Sequence, residues 1–335
     1  MKTQISLMEL FAGGGTLGFS LVRGLSEACD VSQISANEIE PRYVRHWASL
    51  HPTGDTFCGG VAKFHPSELS RPTQGVTILA AGIPCTGASS AGISKNALSR
   101  AEDHLTAGHL FIPTLLYVRR HRPRVVVFEN VPNYAKTASA TVVREALATA
   151  GYSFTEYVLN AFAEFDTPTE RKRWVLIATL ESSFQWNYSA TPHDREIGAY
   201  LDPEGVDSDI ESPEQVAAHD RYLARKQAEG CGWRKVVLQR GDRRTPTFVR
   251  TYHKKHAVGP WVRSGDRYRH LRPREIARLH GFPESFTLPD GKVSAIEILG
   301  QGVCYNPFFA LGKALGEWIA AGRPNSAQLG QAVLF

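Results

Sequence analysis

Two apolar runs rich in β-branched residues end in motifs that carry reactive side chains. The first run, residues 76–81, precedes the sequence GIPC, which ends at Cys85, and the second, residues 124–127, precedes FENV, which contains Glu129. Such runs are typical of buried parallel strands, whose carboxyl ends form the edge where open α/β sheets bind ligands. The pattern therefore predicts that a thiol and a carboxyl group lie at one edge of a sheet.

The alternation of short apolar runs and helical stretches continues from residue 4 to about residue 180 and predicts an α/β fold with a parallel sheet covered on both faces. Predicted strands cover residues 5–11, 31–36, 76–83, 124–129, 153–161 and 173–179, and predicted helices cover residues 16–28, 42–50, 109–121 and 140–150. Further helices are predicted over residues 213–228, from residue 271 and over residues 306–321.

The charge of the chain is concentrated in one segment. Residues 231–274 contain 13 Lys and Arg against 2 Asp and Glu, whereas the rest of the chain has 25 basic and 31 acidic residues. A basic segment in an otherwise slightly acidic protein indicates a polyanionic partner. Aromatic residues interleaved with these cations favour base stacking together with phosphate contact. They are Trp233, Phe248, Tyr252, Trp261 and Tyr268.

Cysteine usage and hydropathy exclude several classes of protein. The 5 cysteines are scattered and form no CxxC pair, so neither a zinc site nor a disulfide framework is predicted. No apolar stretch approaches the length of a membrane span, and the first residues lack the pattern of a secretory signal. We therefore expect a cytoplasmic protein with reduced thiols.

A glycine loop, FAGGG over residues 11–15, joins the first predicted strand to the first predicted helix. Glycines at that position allow a tight turn and a close approach of the backbone to a ligand at the helix N-terminus. Glu38 follows the second strand, where an acidic side chain can bind the hydroxyl pair of a ribose. A nicotinamide enzyme is one reading of this loop.

Three groups near the predicted sheet edge suit covalent chemistry on a ring. Cys85 is followed by a loop of small residues and has no neighbouring histidine, which favours a reactive thiolate over a hydrolase pair. Burial of Glu129 would raise its pKa and keep a proton available for a ring nitrogen. Arg171 and Arg173 share one face of an entering strand and could contact a phosphate or a base carbonyl.

The order of these motifs resembles the DNA (cytosine-5) methyltransferase family from about residue 5 to residue 315. The elements that carry the resemblance are FAGGG, NEIEP, GIPC with SSAG, FENVP, RKRW, RHLRPREIARLHGFP and GQGV, in that order. The resemblance implies a Rossmann-like S-adenosylmethionine domain, residues 1–180 plus 298–335, and a smaller target-recognition domain, residues 181–297.

The resemblance also implies roles for single residues. Cys85 would add to C6 of a flipped-out cytosine, Glu129 would protonate N3, and Arg173, with Arg171 beside it, would hold the O2 atom of the base. The cofactor-binding residues implied are Phe11, Ala12, Gly13, Gly15, Leu17, Glu38, Ile39, Pro84, Leu110, Gln301 and Val303. The DNA-binding residues implied are Ser89, Arg234, Lys235, Arg240, Arg243, Arg244, Arg250 and Lys254.

The chain departs from the family pattern around the cofactor and the catalytic motifs. Gly60 stands where many members carry an Asp that contacts the adenine amino group, and Gln301 stands where Asn is usual. Thr86 and Thr169 each replace a common Gln. Because Cys85, Glu129 and Arg173 are unchanged, we expect catalysis to be retained and the cofactor pocket to be unusual.

The implied partner is double-stranded DNA, bound by a monomer in the bacterial cytosol or nucleoid. No obligatory protein partner is implied, although a cognate restriction endonuclease could act separately. Three alternatives remain open from the sequence. They are the same chemistry on transfer RNA, a non-catalytic DNA-binding homologue, and a nicotinamide dehydrogenase.

Overall fold

A computed structural model describes residues 1–63, 75–84, 108–203, 210–254, 256–265 and 267–322. The strands are β1 (Thr3–Leu10), β2 (Cys29–Glu38), β3 (Asp55–Cys58), β4 (Ile78–Gly82), β5 (Val125–Asn130), β6 (Ser153–Asn160), β7 (Lys172–Thr179), β8 (Val237–Leu238), β9 (Trp261–Ser264) and β10 (Arg267–Arg269). The helices are α1 (Thr16–Ala28), α2 (Pro41–Leu50), α3 (Phe111–His121), α4 (Ala138–Thr149), α5 (Ala161–Glu164), α6 (Pro213–Ala228), α7 (Pro273–Leu279), α8 (Lys292–Gln301) and α9 (Tyr305–Ala321). No helix in these ranges is both long and apolar enough to cross a membrane.

Within the described residues the main sheet has 7 strands in the order β3-β2-β1-β4-β5-β7-β6, which confirms the predicted α/β class. The strands from β3 to β5 in this order are parallel, but β7 runs antiparallel to both of its neighbours. A parallel β6–β7 pair needs a crossover of a dozen or more residues. Residues 161–171 are too few for one, so the chain reverses and the prediction of an all-parallel sheet is wrong at β7.

The two motifs do end neighbouring strands. β4 and β5 pair in parallel, and Gly82 lies directly opposite Glu129 at the last rung of the ladder. The interior residues of both strands are fully buried, as expected for a sheet covered on both faces. The predicted convergence of GIPC and FENV at one sheet edge is therefore confirmed as far as Pro84, the last described residue before Cys85.

A second core lies outside the main sheet. It contains Ile197, Leu238, Phe248 and Phe286, and it takes in Phe19 from the outer face of α1. A second sheet, in the order β10-β9-β8, adds strands to this part of the chain. β3, β8–β10 and α8 were not predicted, because the strands are only 2 to 4 residues long and α8 begins without a capping side chain.

The aromatic residues of the basic segment serve this second core. Phe248, Tyr252 and Trp261 are each at most 1% exposed, so their predicted role in base stacking is wrong. Periodicity could not separate them from surface aromatics, because the segment has little regular structure. Trp233 differs, since 47% of it is exposed.

The terminal helix α9 packs against α1 with the backbones in contact. A Cβ atom placed on Gly24 of α1 would lie 2.1 Å from the Phe309 carbonyl oxygen, and one on Gly312 of α9 would lie 2.4 Å from the Leu21 carbonyl oxygen. Only glycine permits such an approach. The predicted return of the last helix to the sheet is confirmed, since Phe308 and Leu311 of α9 share a core with β1.

We predict that Gly24→Ala lowers the free energy of unfolding by roughly 1–3 kcal/mol, the usual cost of overpacking. The reason is that the new methyl group meets rigid backbone at 2.1 Å and the two helices must separate. Chemical denaturation measures the effect. Gly232→Ala is the matched control, because a Cβ there meets nothing within 4 Å. Equal stability of the two variants would contradict the packing argument.

Candidate active site and cofactor loop

The glycine loop leaves β1 through residues with positive φ. Gly13 and Gly15 have φ values of 53° and 84°, and Phe11 has a φ of 54°, which is unusual for a bulky side chain. The Ala12 amide donates to the Asn37 carbonyl at 3.0 Å and so fastens the loop to the end of β2. Strained backbone of this kind is characteristic of ligand-binding turns.

The Glu38 carboxylate faces this loop. Its Oε2 accepts the Gly13 amide at 2.8 Å, while Oε1 accepts the amides of Ile39 and Glu40, each at 2.9 Å. These three donors hold the carboxylate in one orientation beside the loop. The Ile39 side chain next to it is 70% exposed, which is high for a large apolar residue and suits a surface that a ligand covers.

Glu9 lies beneath the loop and was missed by the sequence analysis. It is 1% exposed, and its two oxygens accept the Gly18 amide at 2.9 Å and the Trp47 indole N–H at 2.7 Å. Burial raises the pKa of this carboxyl group to about 7, although both hydrogen bonds oppose the shift. The sequence signal that could have revealed Glu9 is the presence of an acidic residue inside the apolar run of β1.

Glu129 pairs with Arg173 at the predicted sheet edge. Arg173 Nε lies 2.6 Å from Glu129 Oε1, and both side chains are 13% exposed. Burial raises the pKa of Glu129, against the opposing charges of Arg173 and Arg171. A Cβ on Gly82 would be 3.4 Å from Glu129 Oε2, so the absence of a side chain at Gly82 leaves room for the carboxyl group.

Asn130 controls how the chain approaches Cys85. Its Nδ2 donates to the Ile83 carbonyl at 3.0 Å, and its Oδ1 accepts the Val131 amide at 2.8 Å. The FENV motif therefore braces the backbone of GIPC two residues before the cysteine. Cys85 itself and Ser89 lie outside the described residues.

Arg171 differs from its predicted role beside the base. It is 3% exposed, and its guanidinium donates to the backbone carbonyls of Phe248, Gly300 and Gly302. Thr169, two residues earlier, is also buried, and its hydroxyl donates to the Leu279 carbonyl at 2.8 Å. These residues join the second core to the main sheet.

A family model described as C-5 cytosine-specific DNA methylase matches residues 5–317. The chain belongs to this family. It is 27% identical over 306 residues to the Type II methyltransferase M.NlaX of Neisseria lactamica, an alignment that covers 89% of this chain and 92% of that protein. The family membership accords with the motif order and confirms the resemblance.

Solved structures are similar in fold. The Entamoeba histolytica methyltransferase EhMeth superposes with a TM-score of 0.74 at 17% identity and covers 94% of this chain and 99% of its own. The S. pombe Dnmt2 methyltransferase gives a TM-score of 0.71 at 16% identity, with coverage of 95% and 100%. These likenesses confirm the Rossmann-like methyltransferase fold.

S-adenosylmethionine is the cofactor of this family, and the residues around the loop fit it. Glu38 is held in place beside the loop, the exposed Ile39 offers an apolar surface, and the Gln301 amide lies 3.5 Å from the Cβ position of Gly13. From the family resemblance we expect the adenine against Phe11, the ribose at Glu38 and the methionine end near Gly13 and Gly15.

The other predicted cofactor residues divide by exposure. Leu17 and Val303 are buried in the core below the loop, so their side chains provide packing and only their backbone can face a ligand. Leu110 is half-buried and, like Phe11, packs against the core on the other face of the sheet. Pro84 is half-buried at the end of β4, and Ala12 is buried in the loop.

The predicted DNA-binding cations also divide into two groups. Arg240 donates to the carbonyls of Gly198 and Asp202, and Lys235 Nζ lies 2.5 Å from Asp220 Oδ1, so these two stabilise the fold. A charge run cannot reveal which cations meet distant backbone carbonyls. The exposed members of the predicted set are Arg234, Arg243, Arg244, Arg250 and Lys254.

We predict that Glu9 makes the stability of the protein decrease between about pH 4.5 and pH 7. In that window the unfolded chain has released the proton that folded Glu9, with a pKa of about 7, still holds. The stabilisation that Glu9 provides is complete below the ordinary pKa of a Glu side chain. It is lost as pH rises, and the free energy of unfolding falls by about 3 kcal/mol at most. Urea denaturation at pH 5 and pH 8 should show a larger decrease for the wild type than for Glu9→Gln. The exposed Glu145→Gln is the control, and identical decreases in all three proteins would refute the assignment.

We predict that Gly60→Asp binds S-adenosylhomocysteine about 5-fold more tightly, as expected for one added hydrogen bond of about 1 kcal/mol to the adenine amino group. The position accepts a side chain, since a Cβ on Gly60 meets nothing within 4 Å. Calorimetric titration measures the affinity without turnover. Gly60→Ala fills space but offers no acceptor, so an equal gain for Ala and Asp would rule out the hydrogen bond.

Proposed function

We propose that this protein transfers a methyl group from S-adenosylmethionine to C5 of a flipped-out cytosine in a specific sequence of duplex DNA. The observation that carries the proposal is the pairing of β4 with β5, which brings FENV and GIPC as far as Pro84 to one edge of the sheet, next to β1, the strand that leads into the glycine loop. Membership of the family over residues 5–317 supports the same reaction.

The chemistry assigns one task to each residue. The Cys85 thiolate forms a bond to C6 of the cytosine while Glu129 delivers a proton to N3, so that C5 becomes nucleophilic. Bound S-adenosylmethionine supplies the electrophilic methyl group. Loss of the C5 proton then expels the Cys85 thiolate, and N3 returns its proton to Glu129, which restores the aromatic ring and the protonated carboxyl group. Arg173 would hold O2 of the base, where negative charge develops.

The contact between Glu129 and Arg173 prepares this site. Burial favours the protonated carboxyl group, whereas Arg173 at 2.6 Å favours the carboxylate. When O2 of a bound base accepts a hydrogen bond from Arg173, the charge of Arg173 would favour the Glu129 carboxylate less strongly. Glu129 would then hold its proton more firmly at the moment when N3 requires a donor.

We assign the two cores to two tasks. Residues 1–180 with 298–335 form the S-adenosylmethionine domain, and residues 181–297 form the target-recognition domain. α8 spans this boundary, and its Ile296 packs in the second core.

The target base must leave the helical stack before Cys85 can reach it. Ser89 and the exposed cations of the basic segment would bind the surrounding duplex. A monomer suffices, because one strand is modified at a time.

The same chemistry on RNA is the alternative substrate. The relatives named Type II methyltransferases favour DNA, as do the exposed Arg243 and Arg244 in a region long enough to read a duplex. Both polymers therefore belong in the same assay.

The test uses purified full-length protein with methyl-labelled S-adenosylmethionine, duplex DNA and transfer RNA in parallel. We expect label at cytosine C5 of DNA only. Cys85→Ala should abolish transfer, and Glu129→Gln should lower the single-turnover rate by roughly 100-fold or more, as loss of a general acid does. Cys231→Ala, a half-buried cysteine far along the chain from GIPC, should retain the wild-type rate.

Bisulfite sequencing of DNA from cells that express the protein identifies the target sequence in the same experiment series. Label in RNA alone would replace the DNA proposal with its alternative. Transfer by Cys85→Ala at the wild-type rate would reject the covalent mechanism.

A further inference from the structure

The guanidinium group of Arg171 connects three backbone carbonyls that belong to two segments of the chain. Nη1 donates to the Phe248 carbonyl at 3.1 Å, and Nη2 donates to the carbonyls of Gly300 at 3.0 Å and Gly302 at 2.5 Å. The side chain is 3% exposed. Arginine suits this task because its planar fork carries five donors in fixed directions, and lysine cannot reproduce it.

One of these carbonyls is shared with the predicted active site. The Gly302 carbonyl also accepts a hydrogen bond from Nη2 of Arg173 at 3.4 Å. Nε of the same Arg173 lies 2.6 Å from Glu129 Oε1. Arg171 and Arg173 therefore hold a common acceptor. A displacement of the Gly302 carbonyl changes the position of the guanidinium that faces Glu129.

The third carbonyl belongs to the basic segment. Phe248 lies between the exposed pairs Arg243–Arg244 and Val249–Arg250. The segment is docked rigidly, because the Glu170 amide donates to the Thr245 carbonyl at 2.8 Å and the Thr245 amide donates to the Pro168 carbonyl at 2.8 Å.

A backbone contact closes this arrangement from the other side. A Cβ on Gly300 would lie 2.5 Å from the Val249 carbonyl carbon and 2.6 Å from the Arg250 nitrogen. The basic segment thus rests against the end of α8. Gln301, between the two glycines that Arg171 holds, lies against the glycine loop.

We propose that Arg171 is a positioning residue that couples the placement of residues 243–250, a part of the basic segment, to the Arg173–Glu129 pair. The inference rests on the proposed function, in which that segment contacts DNA and that pair contacts the base. Arg171 does not touch the substrate. It sets the geometry of Arg173 through the Gly302 carbonyl, so its loss affects the rate of the chemical step more than the binding of either substrate.

The decisive variant is Arg171→Lys, which retains the charge and loses the fork. We expect its single-turnover methylation rate to fall about 10–100-fold, in the range that a small misplacement of reacting groups produces. Its dissociation constants for duplex DNA and S-adenosylhomocysteine should stay within about 3-fold of the wild type, a difference of about 0.7 kcal/mol.

Arg124→Lys is the matched control. Arg124 directly precedes β5, and it also donates to a backbone carbonyl, that of Gly322, at 3.1 Å. It should keep the wild-type rate.

A double-mutant cycle separates positioning from a general structural role. If Arg171 acts through Arg173, then Arg171→Lys added to Arg173→Lys should lower the rate by less than about 3-fold further, because coupled residues are not additive. Full multiplication of the two rate losses would overturn the proposal. So would a loss of DNA affinity as large as the loss of rate.

A readout without turnover keeps this inference distinct from the proposed function. In protein labelled with ¹⁵N-arginine, the Nε–H resonance of Arg173 is assigned by its absence in Arg173→Lys. We expect the resonance to shift in Arg171→Lys and to stay in place in Arg124→Lys. An unmoved resonance overturns the positioning role even in an active enzyme, whereas a wild type inactive on DNA with a shifted resonance refutes only the proposed function.

Discussion

The parallel register of β4 and β5 is the constraint on which the site depends. Placing Gly82 opposite Glu129 ends both strands at the same height, so the chain segments that follow must leave the sheet side by side. The carboxyl group gains its environment from this geometry, because strands buried on both faces deliver a side chain at the rim of a low-dielectric core. A slip of the register by one residue would turn Glu129 to the other face of the sheet.

The order of the pieces could be read from the sequence because it depends on local patterns. The apolar runs before GIPC and FENV, the glycine loop and Glu38 all signal their positions within a few residues. The hydrogen bond from the Gly13 amide to Glu38 was not predicted. The reversal of β7 was missed, although the connection over residues 161–171 is too short for a parallel crossover and its length could have been read from the sequence.

Contacts between distant segments were beyond the sequence. Phe248, Tyr252 and Trp261 were taken for stacking residues and are core residues, because burial is decided by elements elsewhere in the chain. Arg171 was assigned to catalysis beside Arg173, although its acceptors lie more than 70 residues away in sequence. A spacing of two residues on a strand shows a shared face and does not reveal which partner each side chain meets.

The contact between α1 and α9 has a consequence for the order of folding. Phe308 and Leu315, near the end of the described chain, belong to the same core as Leu7 and Leu21, near its beginning. During synthesis the first strands leave the ribosome long before the helix that covers them. The face of the main sheet that α9 covers therefore cannot close until residues 305–321 have been made, and the second core has the opportunity to form within a first domain that is still incomplete.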